Sequence, residues 1–142
     1  GHSAYYNAME QLARDLGIAD KVTFAGLRTD MPAVLALTDI LVSPSRNEAQ
    51  PIIVNEALVA GVPVVATDVG DCRAMLRDGE FGEVVPPDDP GALAEALVRV
   101  LGDLEAARAR ARRAQAELIR EFTAPDFWRP MEEVLEEVAG KK

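Results

Sequence analysis

The chain has 142 residues, of which 49% are hydrophobic and 27% charged, so it can bury a core without disulfides and is not a disordered polyampholyte. Its net charge of −9 has the wrong sign for binding nucleic acid or an anionic membrane. No stretch is long and apolar enough to predict a membrane span, and the single cysteine, Cys72, is consistent with a reducing cytosol. We therefore expect a cytoplasmic protein.

Short β-rich runs alternate with helical stretches in the first two thirds of the chain. The pattern predicts strands at residues 22–25, 40–43, 62–66 and 83–85, and helices at residues 4–16, 31–37, 51–60 and 72–76. Such an order favours an α/β fold, a Rossmann-like doubly wound parallel sheet. Residues 90–101, 104–122 and 125–140 then predict C-terminal helices.

The long helix at residues 104–122 carries a series of arginines, Arg108, Arg110, Arg112 and Arg113. Glutamates flank the series at positions 105 and 117, and alanines fill the gaps between the arginines. We interpret the series as a solvated helix face and not as a basic binding patch.

The first predicted helix has no strand before it, whereas the other helices of the first half do. This predicts a fragment of a longer protein, with the opening strand of the sheet missing. Residues 1–3 resemble an expression scar, which would leave His2, the only histidine, without a catalytic role.

The segment at residues 43–61 is the most informative for function. A buried strand ends, a polar loop follows, and a helix begins with Pro51 in its first turn and closes with Gly61 just past its end. A helix N-terminus at the carboxyl edge of a parallel sheet offers unpaired amides to a phosphate or diphosphate.

Two carboxylates flank this helix start. Glu48 precedes the helix, and Glu56 lies about 7.5 Å along it from Pro51 at the usual helical rise. Carboxylates accept hydrogen bonds from hydroxyl groups, so the predicted ligand carries sugar or ribose hydroxyls as well as a diphosphate. The alternative is that Glu48 is a surface loop residue and Glu56 an ordinary exposed helix residue.

Residues 45–67 read S-R-N-E-A-Q-P-I-I-V-N-E-A-L-V-A-G-V-P-V-V-A-T, which resembles the E-x7-E signature of glycosyltransferase family 4, the group 1 retaining enzymes of GT-B fold. The preceding runs D-K-V-T-F-A-G-L-R-T-D and T-D-I-L-V-S-P-S resemble the usual approach to that motif. The following runs D-V-G-D-C-R and D-G-E-F-G-E-V-V-P-P-D-D-P resemble its exit. The resemblance covers about residues 5–122.

The resemblance implies the C-terminal domain that binds the nucleotide-sugar donor. Glu48 would approach the donor sugar as the catalytic residue, and Glu56 would accept hydrogen bonds from the ribose hydroxyls. The remaining donor-binding residues implied are Gly26, Leu27 and Arg28 against the base, Ser45, and the helix start at Ala49, Gln50, Pro51, Ile52 and Ile53. Transfer would retain configuration, with neither a metal ion nor another cofactor.

The resemblance also implies a domain organisation. Residues 4–122 would form the donor domain, and residues 123–142 a helix that crosses back to an absent N-terminal domain. The parent enzyme would be a hexosyltransferase, and the sequence does not identify its acceptor. The isolated chain would be inactive and would self-associate through the apolar stripe of its last helix. The resemblance leaves open whether the parent is peripheral at the inner membrane face.

The chain departs from the family pattern at several positions. Ala49 stands where the family usually has glycine, which matters if that position needs a positive φ. Gly70-Asp71 and Arg73 replace the usual Gly-Gly pair and following acid. We interpret Arg46 as a surface residue and Cys72 as a packed thiol. Two alternatives stay open: a nucleotide-sugar epimerase domain, because that class has a similar two-domain architecture, and a non-catalytic interaction module, because Ala49, Asp71 and Arg73 are consistent with a decayed site.

Overall fold

The computed structural model describes residues 4–124 together with Arg129 and Glu136. Two one-turn 3-10 segments, Ala19–Lys21 and Arg77–Gly79, stand among the longer elements. The helices and strands are α1 (Ala4–Asp15), α2 (Met31–Ala36), β1 (Leu41–Ser43), α3 (Ile52–Ala60), β2 (Val64–Thr67), α4 (Cys72–Met75), β3 (Glu83–Val85), α5 (Pro90–Gly102) and α6 (Leu104–Phe122). The predicted helices within residues 4–124 are confirmed to within one residue at each end.

The chain divides into two compact units, Gly1–Met31 and Pro32–Lys142. In the first unit, α1 ends before Gly17, which takes the left-handed φ of +67° that closes a helix with little strain. Tyr6 of α1 lies against Phe24, with ring centroids 5.2 Å apart. In the first unit, α1 is thus followed by a segment that contains the 3-10 turn Ala19–Lys21 and returns to α1.

The strand predicted at residues 22–25 is wrong for the described structure. Val22 is extended, with φ −111° and ψ 124°, but no ladder forms here among the residues that the structure describes. A β-strand needs a partner for its amide and carbonyl groups, and residues 21–30 are all exposed. The alternation of Val22 and Phe24 in the sequence carries no information about that partner.

The second unit contains a parallel sheet in the order β1-β2-β3, which confirms the predicted Rossmann-like α/β fold. Leu41 pairs with Val64, and Val65 pairs with Glu83. Val65 and Val85 pack with α5 on one face of the sheet. Successive residues of a strand point to opposite faces, so Val64 and Ala66 face the other side, where α3 contacts β1 and β2. Helices thus cover both faces.

The helix α6 lies on the rest of the unit through a narrow stripe of small side chains. Its buried residues recur at helical spacing and are Ala107, Ala111, Ala114 and Leu118. The arginines lie outside the stripe, as predicted, and Arg108 pairs with Glu105 and Asp39. Arg110 departs from a purely solvated face because its side chain is 24% exposed and it holds Glu83 at 3.0 Å.

The helix predicted at residues 125–140 lies outside the described residues, apart from Arg129 and Glu136. Its crossing to another domain and its self-association stay predictions. Within the part of the chain that the structure describes, no helix combines the length and apolar character needed to cross a membrane.

Candidate functional site

The three strands of the sheet end at one edge, where three connecting segments meet. These are residues 44–50 after β1, residues 68–71 after β2 and residues 86–89 after β3. Between them lies an open depression of about 200 Å³, which is lined by Pro44, Arg46, Thr67, Asp88, Asp89, Pro90 and Leu93. The carboxyl edge of a parallel sheet is where ligands bind in open α/β folds, so this edge is the candidate site.

The helix α3 starts at this edge with its backbone donors open. Pro51 is the N-cap residue, and no side chain caps the helix. The Val54 amide donates to the Pro51 carbonyl at 3.0 Å, whereas the amides of Ile52 and Ile53 have no acceptor within the helix. Gly61 closes the helix with φ +74°. The predicted helix start with open donors is therefore present.

The two glutamates of the predicted motif flank this helix start and are both exposed. Glu48 lies in the loop before α3, and Glu56 lies in its second turn. Among the residues that the structure describes, neither carboxylate has an ion pair or a side-chain hydrogen bond. Both carboxylates are therefore open to a ligand that offers hydroxyl groups.

The segment after β2 holds the loop that carries Glu48. The Thr67 hydroxyl donates to the Ser45 carbonyl at 2.6 Å and lies 3.3 Å from the Ser43 carbonyl. The Asp71 amide donates to the Ala49 carbonyl at 3.0 Å. The loop is thus attached on both sides of Glu48.

Gly70 packs directly against the same loop. Its φ is +50°, and a Cβ built there would lie 2.7 Å from the Ala49 carbonyl carbon and nearer still to the Glu48 and Ala49 carbonyl oxygens. A side chain at this position would displace the loop backbone. Glycine is therefore needed here both for its conformation and for the close approach of the two backbones.

Two interpretations from the sequence can be compared with this geometry. Arg46 pairs with Asp88 at 2.7 Å, and its side chain is 83% exposed, in agreement with a surface residue. Outside glycine, positive φ values occur among the described residues at Arg77, Asp78 and Asp88, so Ala49 does not need the conformation that favours glycine. Alanine at this position is compatible with the loop.

Cys72 is a packed residue, as predicted. It begins α4 and is fully buried. Burial raises the pKa of the Cys72 thiol, the Val69 backbone lowers it in part, and the nearby carboxylates of Asp68, Glu48 and Asp71 raise it further. The thiol therefore stays protonated and unreactive at neutral pH.

The predicted base-binding residues Gly26, Leu27 and Arg28 belong to the first unit, Gly1–Met31. Gly26 has φ +65°, and Leu27 is 96% exposed. Arg28 pairs with Asp30 at 2.6 Å. Their role toward a base stays a prediction.

Of the other predicted donor-binding residues, Ser45 is half-buried and takes part through its carbonyl. Ala49 and Gln50 are exposed, Pro51 is buried, and Ile52 is 68% exposed. Sequence reasoning missed Thr67, although a polar residue that ends the buried run Val64, Val65, Ala66 was a usable signal for this edge.

Known proteins resemble this chain over most of its length. The family model described as "Glycosyl transferases group 1" matches residues 1–103. An exopolysaccharide phosphotransferase of Streptomyces coelicolor is 33% identical over 144 residues, 100% of this chain and 15% of that protein. A phosphatidyl-myo-inositol mannosyltransferase of Mycobacterium leprae is 38% identical over 109 residues, 75% of this chain and 29% of that protein.

A solved structure shows the same fold. The crystal structure of Anabaena Alr3699/HepE in complex with UDP-glucose superposes with a TM-score of 0.86 and 26% identity over 96% of this chain and 38% of that one. The chain belongs to the group 1 glycosyltransferases and corresponds to the C-terminal domain of their GT-B fold. It spans well under half the length of each of these three proteins.

Proposed function

We propose that this chain binds the nucleoside diphosphate sugar donor of a retaining glycosyltransferase. The observation that carries the proposal is the start of α3, where open backbone amides at the carboxyl edge of the sheet adjoin two exposed glutamates without ion pairs among the described residues. The family membership and the UDP and UDP-glucose complexes of Anabaena HepE support the same ligand class.

Each group of the site has a role in this proposal. The amides at the start of α3 hold the diphosphate, because they point to solvent at the positive end of the helix dipole. Glu56 accepts hydrogen bonds from the ribose hydroxyls, and Glu48 approaches the donor sugar. The main stabilisation of the reaction is electrostatic, because the backbone amides aimed at the diphosphate stabilise its charge as it leaves. The new bond forms on the same face of the sugar.

The proposal extends to the whole enzyme. The parent transfers a hexose to its acceptor in the cytoplasm without a metal ion, and its N-terminal domain completes the active site in the cleft between the domains. The isolated chain binds the donor but does not transfer the sugar. Self-association through residues 123–142 is part of the same proposal, and a sedimentation run that finds only monomer at millimolar protein would contradict it.

The test is calorimetric titration of the chain with UDP, GDP, ADP and UDP-glucose, repeated in excess EDTA. We expect one of the three nucleoside diphosphates to bind, and at 100 times its dissociation constant it raises the free energy of unfolding by about 2.7 kcal/mol. EDTA leaves the affinity unchanged.

The matched variants are Glu56→Gln and Glu95→Gln, which neutralise exposed helical glutamates inside and outside the site. Glu56→Gln removes a charged hydrogen-bond acceptor from the site and weakens nucleotide binding about tenfold or more. The control, Glu95→Gln, binds with the affinity of the unsubstituted chain. Donor binding is contradicted if none of UDP, GDP, ADP and UDP-glucose binds the chain, and the role of Glu56 is contradicted if both variants bind alike.

A further inference from the structure

We propose that Thr67 is a positioning residue that sets the geometry of the donor-binding loop, residues 44–50, through its hydroxyl group. The consequence for ligand binding rests on the proposed function above. Thr67 ends β2, is 4% exposed and lies in the lining of the depression, and its hydroxyl proton is directed to the loop backbone.

The Thr67 hydroxyl holds one end of the loop. Its proton is directed to the Ser45 carbonyl at 2.6 Å, and the Ser43 carbonyl lies 3.3 Å away. A hydroxyl supplies one proton, so the shorter contact is the hydrogen bond that fixes Ser45. Because the contact is nearly buried, its loss would leave a carbonyl without a partner.

The second attachment of the loop lies four residues further on, where the Asp71 amide donates to the Ala49 carbonyl at 3.0 Å. Only Arg46, Asn47 and Glu48 lie between the two attached carbonyls. A shift of the Ser45 carbonyl therefore moves the Glu48 backbone directly.

The support beneath the loop is itself fixed to the sheet. The Asp68 amide donates to the Val85 carbonyl at 2.8 Å, which attaches the segment after β2 to β3. The Arg73 Nε donates to the Asp68 carboxylate at 3.0 Å. Thr67 thus transmits the position of the sheet to the loop.

The experiment compares three variants of the 142-residue chain by titration with UDP, GDP and ADP and by amide hydrogen exchange without ligand. Thr67→Val keeps the shape and removes the hydroxyl, whereas Thr67→Ser keeps the hydroxyl. Thr38→Val is the matched control, because the Thr38 hydroxyl also donates to a backbone carbonyl, that of Val34 at 2.8 Å. Thr67→Ala replaces Thr67→Val if the valine variant does not fold.

The expected result is about a tenfold loss of affinity for the nucleotide that binds and faster exchange of the Asp71 amide, whose acceptor is the Ala49 carbonyl, in Thr67→Val alone. Thr67→Ser restores both. The proposal is overturned if Thr67→Val has the same hydrogen-exchange rates and nucleotide affinity as the unsubstituted chain, or if Thr38→Val shows the same losses. If the unsubstituted chain binds none of UDP, GDP and ADP, the proposed function fails, and exchange of the Asp71 amide still decides whether Thr67 positions the loop.

Discussion

The glutamates at the amino and carboxyl edges of the sheet differ in their surroundings. At the amino edge, Glu83 begins β3 and accepts hydrogen bonds from Arg110 at 3.0 Å and from Arg99 at 3.3 Å. At the carboxyl edge, Glu48 and Glu56 are exposed and have no ion pair among the residues that the structure describes. The backbone at the carboxyl edge is nevertheless held closely, by Thr67 and Gly70.

The difference separates structural charges from charges that are open to a ligand. Burial alone raises the pKa of Glu83, but the hydrogen bonds and charges of Arg110 and Arg99 outweigh it and lower that pKa. The half-buried cluster at the amino edge therefore stabilises the fold. At the carboxyl edge, backbone contacts hold the loop, and the carboxylates of Glu48 and Glu56 stay available for recognition.

The largest effect is expected from Gly70→Ala. The new Cβ would overlap the Glu48 and Ala49 carbonyls at a positive φ, so we expect the free energy of unfolding to fall by about 3 kcal/mol. Urea denaturation measures the loss. Gly17→Ala is the matched control, because the φ of Gly17 is +67° and a Cβ built there has no described atom within 4 Å. Equal losses in the two variants would show that strain alone, and not the contact with the loop, makes glycine necessary.

The next effect concerns the amino edge. The lowered pKa of Glu83 contributes stability above the ordinary pKa of a glutamate, and that contribution is lost as the pH falls through the lowered value. We expect Glu83→Gln to reduce the free energy of unfolding by about 1 kcal/mol at pH 7, with the difference vanishing in acid.

Glu105→Gln provides the control for the Glu83 measurement. Glu105 pairs with Arg108 at 3.1 Å, but its side chain is 80% exposed. We expect a change below about 0.5 kcal/mol. If Glu83→Gln were as stable as the unsubstituted chain at pH 7, Glu83 would not be a stabilising charge, and the contrast between the two edges would be removed.

A smaller and equal effect is expected from the two helix caps. Asp89 accepts from the Ala92 amide at 2.9 Å at the carboxyl edge, and Asp103 accepts from the Ala106 amide at 3.0 Å at the amino edge. Replacing either aspartate by alanine should lower the free energy of unfolding by about 1 kcal/mol. Unequal losses in thermal melts would mean that one aspartate does more than cap its helix.

The smallest effect on stability is expected from Glu48→Gln. Because Glu48 is exposed and has no ion pair among the described residues, its neutralisation should change the free energy of unfolding by less than about 0.5 kcal/mol. The same variant should bind UDP-glucose more weakly while its affinity for UDP stays within about twofold, since Glu48 is assigned to the sugar. A large loss of stability would place Glu48 with Glu83 as a structural charge.

The sequence alone determined the elements of the fold and the place of the candidate site. Turn and cap residues act locally, so Pro51 and Gly61 located α3 to within one residue. Short apolar runs between helices indicated parallel strands, and three of the four predicted runs pair in the sheet. The fourth, residues 22–25, failed because an apolar alternation does not say whether a strand finds a partner.

Only the tertiary structure decided which distant groups meet. Thr67 lies more than twenty residues from Ser45 in the chain and reaches it because parallel strands end at one edge. Glu83 and Arg110 meet because α6 passes the first residue of β3, and neither residue type nor spacing announces that contact. Local propensity determines which elements form, whereas contacts between elements depend on how the whole chain packs.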